Sequence, residues 1–242
     1  MIRRLLYLPA VLLLSMTLLP LIVLCDLVTL HTRPHRWMEL FGGLWGRGML
    51  WISGVRLNVV GREHLSPART RVLVMNHSSF LDMQALAALD LPAPMALAKR
   101  EFFFIPLLGQ AMWATGQVFI NRSDTRSARG GLARLGQIMA SGPPRTVVIF
   151  PEGTRSRDGL LHPFKTGAFR LAAQTGAPLL RVVLYGAYAR QRPQDWVPRP
   201  GEITIVIHPE ISTQGWTEEQ AQAHATELHA WFQARLDEGA SG

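Results

Sequence analysis

The chain reads Val72-Leu73-Val74-Met75-Asn76-His77-Ser78-Ser79-Phe80-Leu81-Asp82 over the stretch that says most about its fold. The four apolar residues predict a buried strand, and the polar turn after them predicts an exposed strand end. His77 lies in that turn, and Asp82 follows it five positions later. Neutral imidazole accepts a proton near neutral pH, and a nearby carboxylate orients it and stabilises its charged form. His77 and Asp82 are therefore candidate catalytic residues, with His77 as the base that deprotonates a substrate hydroxyl.

The same stretch also fits an ordinary helix N-terminus. In that interpretation Ser78 or Ser79 caps the helix, and Asp82 in the first turn interacts favourably with the helix dipole. The spacing of one histidine and one aspartate does not decide between the two interpretations. The choice therefore depends on the other polar segments of the chain.

Composition indicates one globular domain with an apolar attachment segment. The 242 residues are 48% hydrophobic and 17% charged, with a net charge of +8 and seven tryptophans. This balance is typical of a protein that works at an anionic membrane surface. Nucleic acid would also attract the positive charge, but the arginines are scattered and no nucleic-acid motif occurs. The single cysteine, Cys25, excludes an intrachain disulfide, which fits a reducing compartment.

The N-terminal region predicts a membrane anchor. Residues 5–24 carry no charge, and as a helix they would extend about 30 Å, enough to cross a bilayer core. Arginines flank this run on both sides, so the positive-inside rule gives no orientation. Residues 37–55 are rich in aromatic side chains interrupted by charges, which is typical of an interfacial segment. We predict a two-helix anchor over residues 1–55 that enters one leaflet and returns, with a single span as the alternative.

A cleaved signal peptide is a further alternative for the N-terminus. The basic start and leucine-rich centre resemble one. However, Leu24 precedes Cys25 where a processing site prefers a small residue, and the apolar run is long.

Residues 56–242 form the predicted catalytic domain, in which strands alternate with helices. Such alternation predicts an α/β fold, a mixed sheet flanked by helices, with active groups on loops at strand ends. The predicted strands are residues 55–60, 71–75, 95–98, 117–120, 145–150, 179–184 and 203–207. The predicted helices are residues 80–89, 102–114, a helix capped by Ser123 or Asp124 and ending near 140, 164–174, and a helix that starts at a Thr217–Gln220 capping box and ends near 236.

A second polar segment, Phe150-Pro151-Glu152-Gly153-Thr154-Arg155-Ser156, directly follows the clearest buried strand. Pro151 ends the ladder, and Gly153 allows a tight turn with exposed backbone N–H groups, which are candidate donors to an oxyanion. Arg155 offers a planar donor fork suited to phosphate. Glu152 would either align these basic groups or close the site. Taken alone, the segment is equally typical of a solvated strand-to-loop turn.

Three more cations lie at predicted element ends. Lys99 and Arg122 each follow a strand, and Lys165 opens a helix, where a cation opposes the dipole unless an anion lies nearby. Any one of them is typical of a surface charge. Together with Arg155 beside the His77–Asp82 pair, they indicate an anion pocket.

These segments together resemble the 1-acylglycerol-3-phosphate O-acyltransferase family of glycerolipid acyltransferases. The family's first three ordered blocks correspond to His77 to Asp82, Gly116 to Arg122 and Phe150 to Ser156. The fourth block departs, because residues 177–183 carry Arg181 where the family usually has a second proline. This departure puts acyl-chain or acceptor selectivity in question. The resemblance covers about residues 56–207.

The resemblance implies transfer of a fatty acyl group from acyl-CoA or acyl-carrier protein to the 2-hydroxyl of lysophosphatidic acid. The product would be phosphatidic acid, an intermediate of phospholipid biosynthesis. His77 would be the general base and Asp82 its orienting carboxylate. The implied substrate-binding residues are Lys99, Arg122, Glu152, Gly153, Thr154, Arg155 and Lys165. No metal or redox cofactor is implied, the partners are membrane lipids and the two substrates, and nucleic acid is not expected.

Two other functions stay open at this point. One is acyl transfer to another lysolipid, such as a lyso-ornithine lipid, and the other is a non-catalytic lipid-binding homologue. A membrane-anchored esterase is disfavoured, because no G-x-S-x-G elbow supplies a nucleophile. The expected location is a bacterial inner membrane, with the catalytic domain facing the cytoplasm.

Overall fold

The computed structural model describes residues 2–30, 34–65, 69–121, 124–141 and 143–240. The α-helices are α1 (Ile2–Val28), α2 (Pro34–Trp37), α3 (Gly43–Ser53), α4 (Leu81–Ala87), α5 (Leu108–Ala114), α6 (Thr125–Met139), α7 (Gly167–Thr175), α8 (Ala187–Arg190) and α9 (Ala221–Ala240). The strands are β1 (Val55–Val60), β2 (Arg71–Met75), β3 (Pro94–Lys99), β4 (Val118–Ile120), β5 (Thr146–Ile149), β6 (Leu179–Tyr185) and β7 (Gly201–Ile207). A π-helix spans Met38–Gly42, and 3-10 turns span Arg62–Leu65 and Arg100–Phe104.

Within the described residues, seven strands form one mixed sheet in the order β1-β7-β6-β2-β5-β3-β4. The β6–β7 pair is antiparallel, and every other neighbouring pair is parallel. The carboxyl ends of β2, β3, β4, β5 and β6 therefore meet at one edge, which we call the carboxyl edge. Because active groups of open α/β sheets lie on loops at such an edge, the topology confirms the predicted fold class and the place to look for a site.

Both faces of the sheet are buried against helices. All five residues of β2 are buried, and successive side chains point to opposite faces. Val72 and Val74 join the core formed with α6, α7 and α9. Leu73 and Met75 join the second core, which includes α4. A central strand that is apolar from Val72 to Met75 is what a parallel, doubly covered sheet requires.

The N-terminal helices form a further layer outside the second core. In α1, Leu6–Val28 is long and apolar enough to cross a membrane by length and composition. The indole N–H of Trp45 in α3 donates to the Ser15 hydroxyl of α1 at 3.0 Å. In turn α3 packs closely on α4, since a Cβ at Gly46 would lie 2.7 Å from the Gln84 carbonyl oxygen. The predicted division after residue 55 stays a prediction.

Several helix boundaries differ from those predicted, for local reasons. α7 begins at Gly167 and not near residue 164, because the Lys165 N–H donates to the Pro151 carbonyl and ties that segment to the loop after β5. The predicted helix over residues 102–114 is broken into the 3-10 turn and α5. Asp124 caps α6 as predicted, accepting a hydrogen bond from Arg126 N–H. Gln220 accepts from the Thr217 N–H as in the predicted capping box, but the final helix begins only at Ala221, so the predicted start is wrong, and the helix extends to Ala240.

Candidate active site

His77 and Asp82 are in direct contact at the carboxyl edge. β2 ends at Met75, two residues before His77, and Asp82 lies in the first turn of α4. The Asp82 Oδ2 atom lies 2.7 Å from His77 Nδ1. The same oxygen accepts the backbone N–H groups of Ser78 and Ser79, at 2.7 and 2.9 Å. Asp82 therefore lies in the first turn of α4, as the helix interpretation predicted, and also holds the imidazole. The N-cap position of α4 is taken by Phe80 and not by Ser78 or Ser79, so that part of the helix interpretation is wrong.

This contact fixes which nitrogen of His77 is available for chemistry. An ionised carboxylate only accepts hydrogen bonds, so Nδ1 carries the hydrogen and Nε2 keeps a free lone pair. The His77 ring stacks on Phe150, with ring centroids 3.9 Å apart. Asp82 is fully buried, whereas the His77 side chain keeps 10% of its surface exposed. The ring is thus held on two sides and still open to the carboxyl edge.

The loop after β5 is tied to the backbone of His77. β2 and β5 are neighbours, with Val74 opposite Ile149, so the loops that follow them meet. The His77 N–H donates to Glu152 Oε1 at 2.7 Å, and the His77 carbonyl accepts the Ser156 N–H at 2.8 Å. The two segments that the sequence singled out therefore build one site.

Asn76 anchors the other side of the His77 loop, a role that was not predicted from the sequence. Its side-chain amide donates to the Leu184 carbonyl and accepts the Leu184 N–H, both at 2.9 Å. It thus extends the pairing of β2 with β6 by one residue. The Ser79 hydroxyl donates to the Gln191 carbonyl and fixes the loop further. Both residues stand in the stretch quoted first, but their partners are more than a hundred positions away.

Glu152 faces the protein interior. It is buried, and its two carboxylate oxygens accept the backbone N–H groups of His77 and His162, at 2.7 and 3.2 Å. Burial raises the pKa of the Glu152 carboxyl from 4.5 to about 7, against the opposing effect of these two donors. Its contacts are those of a residue that positions the loop carrying His77.

We expect the free energy of unfolding of the wild-type protein to fall, relative to Glu152→Gln, as the pH rises from 4.5 through about 7. The folded state holds the Glu152 proton more tightly than the unfolded chain does, so this contribution is complete below 4.5 and is lost above about 7. The pKa shift of Glu152 corresponds to a change of at most about 3 kcal/mol in the free energy of unfolding. Denaturant unfolding in detergent across this pH range measures the difference. If the free energy of unfolding of the two proteins changed with pH in parallel, this expectation would be contradicted.

The basic residues around the loop after β5 are exposed. Gly153 has φ +75°, and a Cβ there would lie 2.7 Å from Lys165 Nζ, so the lysine side chain lies over the glycine backbone. Thr154, Arg155 and Lys165 are exposed, and neither cation forms an ion pair with another described residue. The Gly153 N–H donates to the Phe150 carbonyl within the turn, so it is occupied and does not serve as an oxyanion donor.

The other predicted binding residues lie on neighbouring strands. Lys99 ends β3 at the carboxyl edge, and its Nζ lies 3.7 Å from Glu101 Oε1. Arg122 follows β4 but lies outside the described residues. Arg181 points away from the site, because its guanidinium lies 4.3 Å from the ring of Trp231 in α9 and donates to the Pro209 carbonyl. The departure in the fourth block is therefore accommodated by packing against α9.

Comparisons with known proteins agree with this architecture. A family model described as Acyltransferase matches residues 56–185. The chain is 39% identical over 155 residues to 1-acyl-sn-glycerol-3-phosphate acyltransferase of Chlamydomonas reinhardtii, covering 63% of this chain and 46% of that protein. It is 30% identical over 191 residues to the enzyme of the same name from Limnanthes douglasii, covering 79% and 67%. The chain thus spans between about half and two thirds of the length of these curated relatives.

The fold also matches a solved structure. The crystal structure of the 1-acyl-sn-glycerophosphate acyltransferase from Thermotoga maritima superposes with a TM-score of 0.77 at 22% identity, covering 97% of each chain. From the family model and the relatives together, this chain belongs to the acyltransferase family, alongside the 1-acyl-sn-glycerol-3-phosphate acyltransferases that it matches.

Proposed function

We propose that this chain transfers a fatty acyl group from acyl-CoA or acyl-carrier protein to the 2-hydroxyl of lysophosphatidic acid, giving phosphatidic acid. The observation that carries the proposal is the 2.7 Å contact between His77 Nδ1 and Asp82, which leaves Nε2 free. The His77 backbone is also hydrogen-bonded to the loop that carries the exposed Arg155. The names of the relatives support the acceptor. Neither the donor nor the location at a bacterial inner membrane is favoured by a particular contact, and both stay predictions.

The proposed reaction is a direct transfer. His77 Nε2 takes the proton of the acceptor hydroxyl while the hydroxyl oxygen attacks the thioester carbonyl carbon. Asp82 stabilises the imidazolium that forms. The tetrahedral intermediate then collapses, the C–S bond breaks, and the departing thiolate takes the proton from His77. Because the thioester is already activated, positioning and one proton transfer supply the acceleration, and we expect no metal or redox cofactor.

In this proposal Arg155 and Lys165 hold the phosphate of the acceptor, with Thr154 beside them. Both cations are exposed at the loop whose backbone is bound to His77. A phosphate within their reach would place the glycerol hydroxyl near Nε2. Lys99 adds positive charge from the end of β3, and Arg122 is proposed to join them from the end of β4. Glu152 is proposed to act on the substrate only indirectly, through the position of His77.

The test is an acyl-transfer assay with purified protein across a panel of lysolipids, with acyl-CoA and acyl-carrier protein as separate donors. The proposal predicts the highest kcat/KM with lysophosphatidic acid. Turnover of a lyso-ornithine lipid without turnover of lysophosphatidic acid would contradict the proposed acceptor. Absence of acyl transfer to every acceptor would support a non-catalytic lipid-binding role instead.

Arg155→Ala is expected to raise the KM for lysophosphatidic acid by about tenfold, because it removes a charge-assisted hydrogen bond to the phosphate. The effect on kcat should be smaller, since Arg155 does not touch His77. Arg157→Ala, which removes an equal charge from an exposed position in the same loop, is the matched control. Equal KM values for the two variants would remove Arg155 from the phosphate site.

A further inference from the structure

An exposed apolar turn follows β3 at the carboxyl edge. Its four consecutive residues, Phe102, Phe103, Phe104 and Ile105, are all exposed, and Phe104 keeps 73% of its surface accessible. We call Phe102–Ile105 the aromatic turn. Single exposed apolar residues are ordinary, but a contiguous group of this size marks an interaction surface.

The aromatic turn is held in a fixed conformation. The Gly109 N–H donates to the Ile105 carbonyl at 2.9 Å. A Cβ at Gly109 would lie 2.0 Å from the Phe103 carbonyl oxygen, so only glycine allows α5 to pack this closely on the turn. The turn also depends on a strained residue, since Leu107 has φ +66°. The apolar side chains of the turn therefore point outward because the backbone is held in this conformation, and not because the turn is a loose loop.

The segment that directly precedes the aromatic turn carries a net positive charge. It consists of Lys99, Arg100 and Glu101, all exposed, and Glu101 lies 3.7 Å from Lys99, so two cations and one carboxylate leave a net charge of +1. Two further apolar side chains, Phe80 and Met83, are exposed at the start of α4, on the loop and helix that carry His77 and Asp82. An apolar tip beside cations is complementary to a bilayer that has anionic headgroups above an apolar interior.

The aromatic turn is also continuous with the N-terminal helix. α5 directly follows the turn, contacts it, and packs against α1. The outer surface of α1 is apolar and open, with Leu12, Leu13 and Met16 each mostly exposed. A bilayer that takes up α1 therefore lies next to the turn.

We propose that the aromatic turn inserts into an anionic phospholipid bilayer, as a second membrane contact beside α1. The cations at residues 99 and 100 then lie at headgroup level. The carboxyl edge, with His77, faces the membrane surface. If the proposed acyl transfer is correct, the acceptor reaches His77 with its own acyl chain still in the bilayer. The membrane contact itself does not depend on that reaction.

A fluorescent label on the turn tests this contact independently of activity. Cys25 is the single cysteine of the chain, so Cys25→Ser provides a background for Phe104→Cys, labelled with an environment-sensitive fluorophore. The full-length protein is reconstituted into phosphatidylcholine vesicles containing phosphatidylglycerol. Gln222→Cys, exposed on α9 across the sheet, is the matched control. Ile105→Cys gives a second position on the turn.

The proposal predicts that lipids with a nitroxide on the acyl chain quench the label at residue 104 strongly, while aqueous iodide does not. The label at residue 222 should show the reverse. Quenching of the residue 104 label by iodide would place the turn in water and overturn the proposal. Protection from both quenchers would indicate that a second copy of the chain covers the turn, and would also overturn it.

Discussion

His77→Ala is expected to lower kcat for acyl transfer by about 10³-fold, within the range that general-base catalysis supplies. The variant loses the Nε2 lone pair that takes the proton of the acceptor hydroxyl. Its fold should persist, because Asp82 still accepts the backbone N–H groups of Ser78 and Ser79. Steady-state kinetics with lysophosphatidic acid and acyl-CoA, together with circular dichroism, measure both expectations.

His64→Ala is the matched control for this substitution. His64 follows β1, whose carboxyl end lies at the opposite edge of the sheet, and its side chain is partly exposed. Its removal should leave kcat unchanged. A folded His77→Ala protein that turns over as fast as His64→Ala would end the role of His77 as a base.

Asp82→Asn is expected to lower kcat by about 10²-fold or more while leaving the loop in place. All three hydrogen bonds to the Asp82 carboxylate converge on Oδ2, so the carbonyl oxygen of asparagine is able to take that position. The substitution then removes the negative charge that stabilises the imidazolium and keeps the geometry. Asp82→Asn therefore separates the effect of the carboxylate charge on kcat from the effect of holding the imidazole in place.

A comparison of Asp82→Asn with Asp82→Ala measures these two effects separately. Alanine removes the acceptor of three donors, so it should lower the free energy of unfolding as well as kcat. Asparagine should lower kcat with a much smaller loss of stability. A kcat for Asp82→Asn within about threefold of wild type would show that the carboxylate charge is dispensable.

The sequence predicted the strands of the sheet and the strand ends that carry chemistry, because both depend on local patterns. An apolar run followed by a polar turn identified β2 and β5 and the loops after them. The spacing of His77 and Asp82 is compatible with their contact, since a short turn and one helical turn bring them together, but the other polar segments were needed to favour it. These features need no knowledge of which strands are neighbours.

The remaining features of the site depend on strand order, which local patterns do not contain. The position of β2 between β5 and β6 brings Phe150 against the His77 ring and Glu152 to the His77 backbone. It also gives Asn76 its partner, Leu184. The family resemblance implied a substrate-binding role for Glu152, whereas its burial and its contact with the His77 backbone are invisible in the sequence. The role of Arg122 stays a prediction, since it lies outside the described residues.

The central claim is that the acceptor hydroxyl attacks the thioester directly after losing its proton to His77. Intact-protein mass spectrometry, after mixing the wild-type protein with acyl-CoA in the absence of acceptor, tests this claim most directly. The account predicts an unchanged protein mass, followed by formation of phosphatidic acid once lysophosphatidic acid is added. A mass increase of one acyl group that disappears on addition of the acceptor would contradict it, because the protein itself would then be the nucleophile.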